Sequence, residues 1–286
     1  MGSLVAAVAS YLEARTRDGE WLLRIEDLDP PREVAGSADR ILRALEQFGF
    51  EWDGAVLFQS TRHDAYAAAI LALRAEGHAF ACGCSRSDVA DKAPRLGPEG
   101  PVYPGTCREG VPAGRRERSI RLCASTTAIC FEDRVQGRIC QDVAHDIGDF
   151  VIRRADGCFA YQLAVVVDDA WQGVTDVVRG ADLLLSTPRQ IGLQRLLDLP
   201  LPGYLHIPLL LDETGRKLAK QNRSLPVDPH RASAGLYDAL CLLQQSPPAR
   251  LAKSGLREVW AWAVKHWQPR RLRGLHKLSI PLTDPR

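Results

Sequence analysis

Trp21-Leu22-Leu23-Arg24-Ile25-Glu26-Asp27-Leu28-Asp29-Pro30-Pro31 starts as a short apolar run and turns abruptly acidic. Trp21 to Ile25 reads as a buried strand of a parallel sheet. Asp29 before two prolines is a helix-start signal, because a first-turn proline has no amide hydrogen to leave unpaired. The order is therefore strand, acidic turn, helix. Open α/β sheets bind ligands beyond the carboxyl ends of their strands, and Glu26 and Asp27 stand at that end. Carboxylates there suit an ammonium group, a ribose hydroxyl or a metal ion. They equally suit a solvated acidic turn with Asp29 as a helix cap.

Upstream of this stretch, Ser3 is placed to cap a helix from Leu4 to Arg15, with Leu4, Val8, Tyr11 and Leu12 on one face. No strand precedes that helix, although a parallel sheet normally opens with one. Downstream, a helix over 34–48 aligns Ile41, Leu42, Leu45 and Phe48 and stops at Gly49. Another over 62–76 aligns Tyr66, Ile70 and Leu73 and stops at Gly77. The pattern then changes. A cysteine pair and a Pro/Gly-rich excursion over 93–112 lead into short strands at 120–122, 129–131, 135–140 and 150–153. Ala155-Asp156-Gly157 predicts a hairpin turn into a strand over 159–167. The α/β pattern resumes with a strand at 174–178, a helix opened by Ser186-Thr187-Pro188 and an apolar strand at 205–211. From Pro229 onward the chain is mainly helical. The reading is an α/β domain in two halves, 1–78 and 151–228, interrupted by a strand-rich insertion at 79–150 and followed by a helical region at 229–286.

At 286 residues, 45% hydrophobic and 25% charged, the chain has the composition of a globular protein with a real core, which argues against disorder. The net charge of +2 is unevenly spread. Nine Lys or Arg against two acids between Arg250 and Arg286 put +7 on the tail and leave −5 on the rest. A basic end on an acidic body fits a polyanionic partner such as RNA, and also a solvated helical face. No apolar run reaches the roughly 20 residues of a membrane span, and the apolar Leu4–Leu12 lacks the basic lead of a signal peptide. A cytoplasmic protein without membrane contact is expected. In that setting eight cysteines read as thiols or metal ligands rather than disulfides.

Three constellations carry chemistry. Cys82, Cys84 and Cys107 can surround a tetrahedral zinc ion, with Tyr103 as the nearest fourth donor; three reduced thiols are the alternative. Cys123, Cys130, Cys140, Cys158 and Cys241 are scattered and read as small core hydrophobes. Lys217 and Lys220, three apart on a loop after a strand, suit a polyphosphate whose charge grows during reaction, or a solvated basic turn. Tyr161 to Asp169 and Val174 to Gly180 place acids and Arg179 at the ends of apolar strands. Arg179 there can clamp a carboxylate or pair internally with Asp168 or Asp169.

Taken in order, LRIEDLDPPRE (23–33), YQLAVVVDD (161–169), VTDVVRGADLLLSTPRQ (174–190) and KLAKQN (217–222) resemble the catalytic domain of class I glutamyl-tRNA synthetases, from about residue 2 to about residue 228. The resemblance implies a Rossmann-like parallel sheet with an inserted zinc-bearing subdomain. The chain is too short for a large anticodon-binding module. The cluster of Cys82, Cys84, Tyr103 and Cys107, with YQLAVVVDD, points to the truncated branch that activates glutamate and attaches it to the queuosine base at the wobble position of tRNA(Asp). Carried over residue by residue, Glu26, Tyr161 and Arg179 bind glutamate. Cys82, Cys84, Tyr103 and Cys107 hold zinc. Lys217 and Lys220 belong to the catalytic loop, with Lys220 on ATP, and Gly2 is what remains of the ATP-binding segment. Ala219 and Gln221 depart from the serines of the general loop pattern, so only its lysines carry over. The implied partners are ATP with Mg²⁺, L-glutamate and tRNA(Asp) bearing queuosine, and the implied state is a monomer.

The family opens with a strand, an Arg-Phe-Ala-Pro-Ser segment on glutamate and a HIGH-type motif on ATP. Here Gly2-Ser3-Leu4 resembles the end of that region. A start assigned too far downstream accounts for this better than a damaged copy, since the later motifs are intact. The gap is expected to leave a central strand position empty, with apolar edges exposed. Two other functions stay open: glutamylation of a tRNA 3′ end, and a catalytically inactive zinc-containing tRNA-binding protein.

Overall fold

The computed structural model describes residues 1–211 and 228–279. The chain enters as a helix, Gly2–Arg15. Met1, not Ser3, is its cap residue, and Ser3 lies within the first turn. Leu4, Val8 and Leu12 are buried, as their spacing requires. They pack against Leu236, Leu240 and Val259 from the C-terminal helices Ala232–Leu242 and Leu256–His266. Tyr11, Trp21, Phe50 and Trp260 form an aromatic group inside this core, with Trp260 donating its indole N–H to the Phe48 carbonyl at 2.9 Å. Trp260, from the basic tail, thus serves packing.

The deciding stretch forms a ladder only at Arg24–Ile25, parallel to Leu57–Phe58. The amides of Asp53 and Leu57 extend the alignment by bonding the carbonyls of Trp21 and Leu23. The two prolines open a single 3-10 turn, Pro30–Arg32, and Asp29 makes no side-chain cap bond to it. The second sheet has the order Asp176–Gly180, Gly203–Ile207, Ile129–Asp133, Gly137–Gln141. Its first two strands run parallel in full register, and the last two form an antiparallel hairpin. Among the described residues the Arg24–Ile25 pair and the Asp176–Gly180 strand belong to separate sheets. Leu22 and Leu23 just before the first and Val177 and Val178 on the second are half-buried. A third, antiparallel sheet joins Ala79–Cys82, Ser119–Leu122 and Phe150–Arg153. The apolar run at 205–211 breaks at Pro208. Leu209–Leu211 leaves the sheet and pairs with Lys277–Ser279.

The segment read as a strand over 159–167 is a helix, Tyr161–Trp171. Its Leu163, Ala164, Val165 and Val166 are all buried, so the run shows no polar alternation of either period. The acids settle the geometry. Asp168 accepts bonds from Gln59 at 3.0 Å, Arg62 at 3.0 Å and the Tyr66 hydroxyl, while Asp169 pairs with Arg24 at 2.7 Å. A helix turns consecutive side chains by about 100°, which sends the neighbouring acids to different partners. Asp168 is fully buried, and its loss strands three donors. Asp168→Ala is therefore expected to cost about 3–5 kcal/mol in urea unfolding. A cost below about 1 kcal/mol would show that water satisfies those donors.

The cysteines need two corrections. Cys130 and Cys140 face each other across the hairpin and are joined as a disulfide, against the expectation of thiols throughout. Cross-strand opposition brings two side chains within bonding reach, which a spacing of ten residues does not reveal. Cys123 and Cys158 are only half-buried and Cys241 is exposed, so they are not core residues.

Candidate active site

Three polar side chains lie around the ends of the two parallel arrays, Arg179 in contact with Tyr161 and its charge felt at Glu26. Glu26 follows the Arg24–Ile25 strand, Arg179 lies near the end of Asp176–Gly180, and Tyr161 opens the Tyr161–Trp171 helix. Arg179 is the best-held of them. Its Nε donates to His206 Nε2 at 3.0 Å, and its Nη2 donates to Thr187 Oγ1 at 2.9 Å and Gln190 Oε1 at 2.6 Å. Its Nη1 reaches the Tyr161 hydroxyl at 3.4 Å, the longest of these contacts. The internal pairing weighed for Arg179 goes elsewhere, since Asp169 is taken by Arg24 and Asp168 by the Gln59–Arg62–Tyr66 group.

Arg24 also reaches Glu26 at 3.6 Å and Gln172 at 2.8 Å. The Glu26 side chain keeps 43% of its surface exposed, yet nearby protein desolvates its carboxylate enough to raise its pKa, while Arg24 and Arg179 pull it down. Desolvation likewise raises Tyr161 and Asp169, and the Arg179 charge opposes the shift at both. Glu26, Tyr161, Asp169 and Arg179 therefore share one field. A cation, a carboxylate and a phenol so placed complement a ligand with an anionic group, an ammonium and a further polar atom.

A second cluster lies in the inserted region. Cys82, Cys84 and Cys107 are buried, and their sulfurs lie within 4.8 Å of one another. Cys84 and Cys107 are 3.7 Å apart, close to the roughly 3.8 Å edge of a tetrahedron with zinc–sulfur bonds of about 2.3 Å. The Tyr103 hydroxyl lies 3.3 Å from Cys82 Sγ and 3.9 Å from Cys84 Sγ, and it accepts the Cys107 amide at 3.0 Å. Desolvation would raise the Cys82 thiol, but bonds from Tyr103, the Cys84 amide and Arg121 bring it down to about 7. Desolvation, then Cys107 and the Cys82 charge, push Cys84 up to about 11. Three buried sulfurs this close together are a donor set suited to a thiophilic cation.

Gly2 is the first residue of the opening helix. Lys217 and Lys220 lie outside the described residues. The basic tail brings Arg270 and Arg273 together with Arg17 and Arg134 around a cavity of about 310 Å³. Arg17 and Arg134 there pair with Asp176, the first residue of the Arg179 strand, so the cavity opens at the amino end of the sheet, away from Glu26 and Arg179.

The catalytic-domain pattern of the class I tRNA synthetases for glutamate and glutamine (E and Q) matches residues 1–244. The chain belongs to this synthetase family. The glutamyl-Q tRNA(Asp) synthetase of Dechloromonas aromatica is 56% identical over 267 residues, covering 93% of this chain and 89% of the relative. That of Chromobacterium violaceum is 54% identical over 282 residues, 99% and 93% of the two chains. A glutamate tRNA ligase from Elizabethkingia meningosepticum, solved in complex with its amino acid, superposes with a TM-score of 0.76 at 21% identity. It covers 95% of this synthetase, which spans 62% of that chain. The glutamate-tRNA synthetase of Elizabethkingia anophelis gives 0.78 at 21% identity, with 98% and 65% covered. These superpositions establish the fold, a class I synthetase α/β architecture.

Sequence reasoning missed the residues that hold Arg179. Thr187 and Gln190 are one helical turn apart in Thr187–Leu196 and lie in the stretch quoted for the resemblance, so helical spacing was a usable signal. His206 and Asp133 gave none, because a histidine inside an apolar strand reads as core filling.

Proposed function

We propose that this synthetase uses ATP and Mg²⁺ to activate L-glutamate and transfers the glutamyl group to the queuosine base of tRNA(Asp). The observation that carries the reading is Arg179, held by three side chains through Nε and Nη2, with its Nη1 edge beside Tyr161 and its charge felt at the Glu26 carboxylate. Arg179 would take a glutamate carboxylate, and Glu26 the ammonium. A glutamate carboxylate oxygen then attacks the α-phosphorus of ATP, and pyrophosphate leaves. A queuosine hydroxyl attacks the resulting acyl carbon, and AMP leaves. The enzyme's task is positioning and charge stabilisation. Lys220, with Mg²⁺ on the nucleotide, would balance the phosphate charge, Lys217 belongs to the same loop, and Gly2 would border the nucleotide. Zinc would bind Cys82, Cys84, Cys107 and Tyr103 and fasten the inserted region.

Support for the branch comes from relatives at more than half identity that carry the glutamyl-Q tRNA(Asp) synthetase name across nearly their whole length. The test is glutamate-dependent exchange of pyrophosphate into ATP, followed by transfer of labelled glutamate to tRNA(Asp). Label is expected on queuosine-bearing tRNA(Asp) even when its 3′-terminal adenosine has been removed, and not on tRNA(Asp) with guanosine at the wobble position. Label that requires the terminal adenosine would move the assignment to 3′-end glutamylation. tRNA binding without exchange would make the chain an RNA-binding protein.

A further inference from the structure

We propose that His206, anchored by Asp133, is the positioning residue that fixes the plane of the Arg179 guanidinium for the glutamate carboxylate. The inference rests on the reading that Arg179 binds glutamate. His206 is fully buried in the Gly203–Ile207 strand. Its Nδ1 lies 2.7 Å from Asp133 Oδ2 and its Nε2 lies 3.0 Å from Arg179 Nε. A guanidinium N–H can only donate. Nε2 must therefore accept, the ring proton must sit on Nδ1, and that proton goes to Asp133. The partners fix the tautomer without sight of a hydrogen.

Asp133 is itself immobilised. One of its oxygens accepts the amides of Val135 at 2.9 Å and Gln136 at 2.8 Å, and the other accepts the His206 amide at 3.0 Å. The same carboxylate thus grips both the backbone and the ring of His206. Thr187 and Gln190 both bind Arg179 through Nη2, which pins one end of the guanidinium. The bond at Nε supplies the second end, and two ends define the plane. The remaining Nη1 edge is then aimed at Tyr161 and the glutamate side of the site. Burial and the Arg179 charge lower the His206 pKa, while Asp133 and Asp182 raise it, and the net shift is downward. That shift agrees with an accepting nitrogen. A second proton would set two donors face to face.

Two variants separate the halves of the relay. His206→Asn keeps an amide donor where Nδ1 meets Asp133 and removes the acceptor for Arg179. His206→Gln extends an acceptor to the Nε2 position and gives up the Asp133 bond. In pyrophosphate exchange the Asn variant is expected to raise the glutamate KM about 10- to 100-fold, with the ATP KM unchanged and most of the loss recovered by Gln. Equal losses in both variants, or an ATP KM that rises in step, would mean that His206 merely fills space. A glutamate KM within about twofold of wild type in folded Asn protein would also overturn the proposal. Nitrogen NMR of the histidines in the wild-type protein needs no variant and no activity. It should show His206 protonated at Nδ1 alone, and a proton at Nε2 would refute the relay. Wild-type protein that fails to exchange pyrophosphate would sink the glutamate reading, while the NMR result would still decide whether His206 holds Arg179.

Discussion

Arg179→Ala is expected to raise the glutamate KM by about 100-fold or more and to leave ATP binding nearly intact. A charge-assisted pair with a carboxylate contributes roughly 2–4 kcal/mol when its geometry is fixed beforehand, which corresponds to about 30- to 1,000-fold in KM. The upper part of that range is favoured by the rigidity of the side chain, since His206, Thr187 and Gln190 hold it before any ligand arrives. Arg179→Lys keeps the charge but offers one nitrogen where the protein uses three, so it should recover only a minor part. Initial rates of pyrophosphate exchange over a glutamate titration decide the matter, with thermal unfolding as the control for the emptied contacts. A folded Ala variant with an ordinary glutamate KM would remove Arg179 from the substrate site.

Cys84→Ser should lower bound zinc from about one equivalent to nearly none and unfasten the inserted region. Cys84 stands 3.7 Å from Cys107 and 3.9 Å from the Tyr103 hydroxyl, so its sulfur touches two of the other candidate ligands. Structural zinc sites contribute on the order of 10–16 kcal/mol of apparent binding energy in small domains. Losing one thiolate of such a set is therefore felt as unfolding of its surroundings. The content is measured by releasing zinc from the purified protein into a chromophoric chelator, and the structural effect by the loss of a thermal transition or by new protease cuts near 93–112. Full occupancy in the Ser variant would leave Cys82, Cys84 and Cys107 as a buried thiol cluster with no metal.

What the sequence made legible follows from how local each signal is. The helix carrying Tyr66, Ile70 and Leu73 could be read because one face is buried and the other solvated. The Tyr161–Trp171 helix could not, because it is enclosed and its valines favour a strand when no polar face intervenes. Glu26, Tyr161 and Arg179 could be named as candidates because each sits in a stretch with a recognisable neighbourhood. The Asp133–His206 contact spans 73 residues and the Cys130–Cys140 bond depends on hairpin register. Neither leaves a mark on the residues around it. Pairings of this kind are decided by tertiary structure, and a chain read in order passes over them.

The opening helix has a consequence for how the protein is made. Leu4, Val8 and Leu12 find their buried partners at Leu236, Leu240 and Val259, more than 220 positions later. A ribosome adding roughly 5–20 residues per second needs about 10–50 s to cover that distance. Throughout that interval the Gly2–Arg15 helix carries an uncovered apolar stripe, and the core it belongs to cannot close. The inserted sheet, whose strands all lie between residues 79 and 153, can assemble much earlier. The Gly2–Arg15 helix therefore waits for its partners through most of synthesis, and the nascent protein should depend on a holding chaperone at that helix until Ala232–Leu242 and Leu256–His266 arrive.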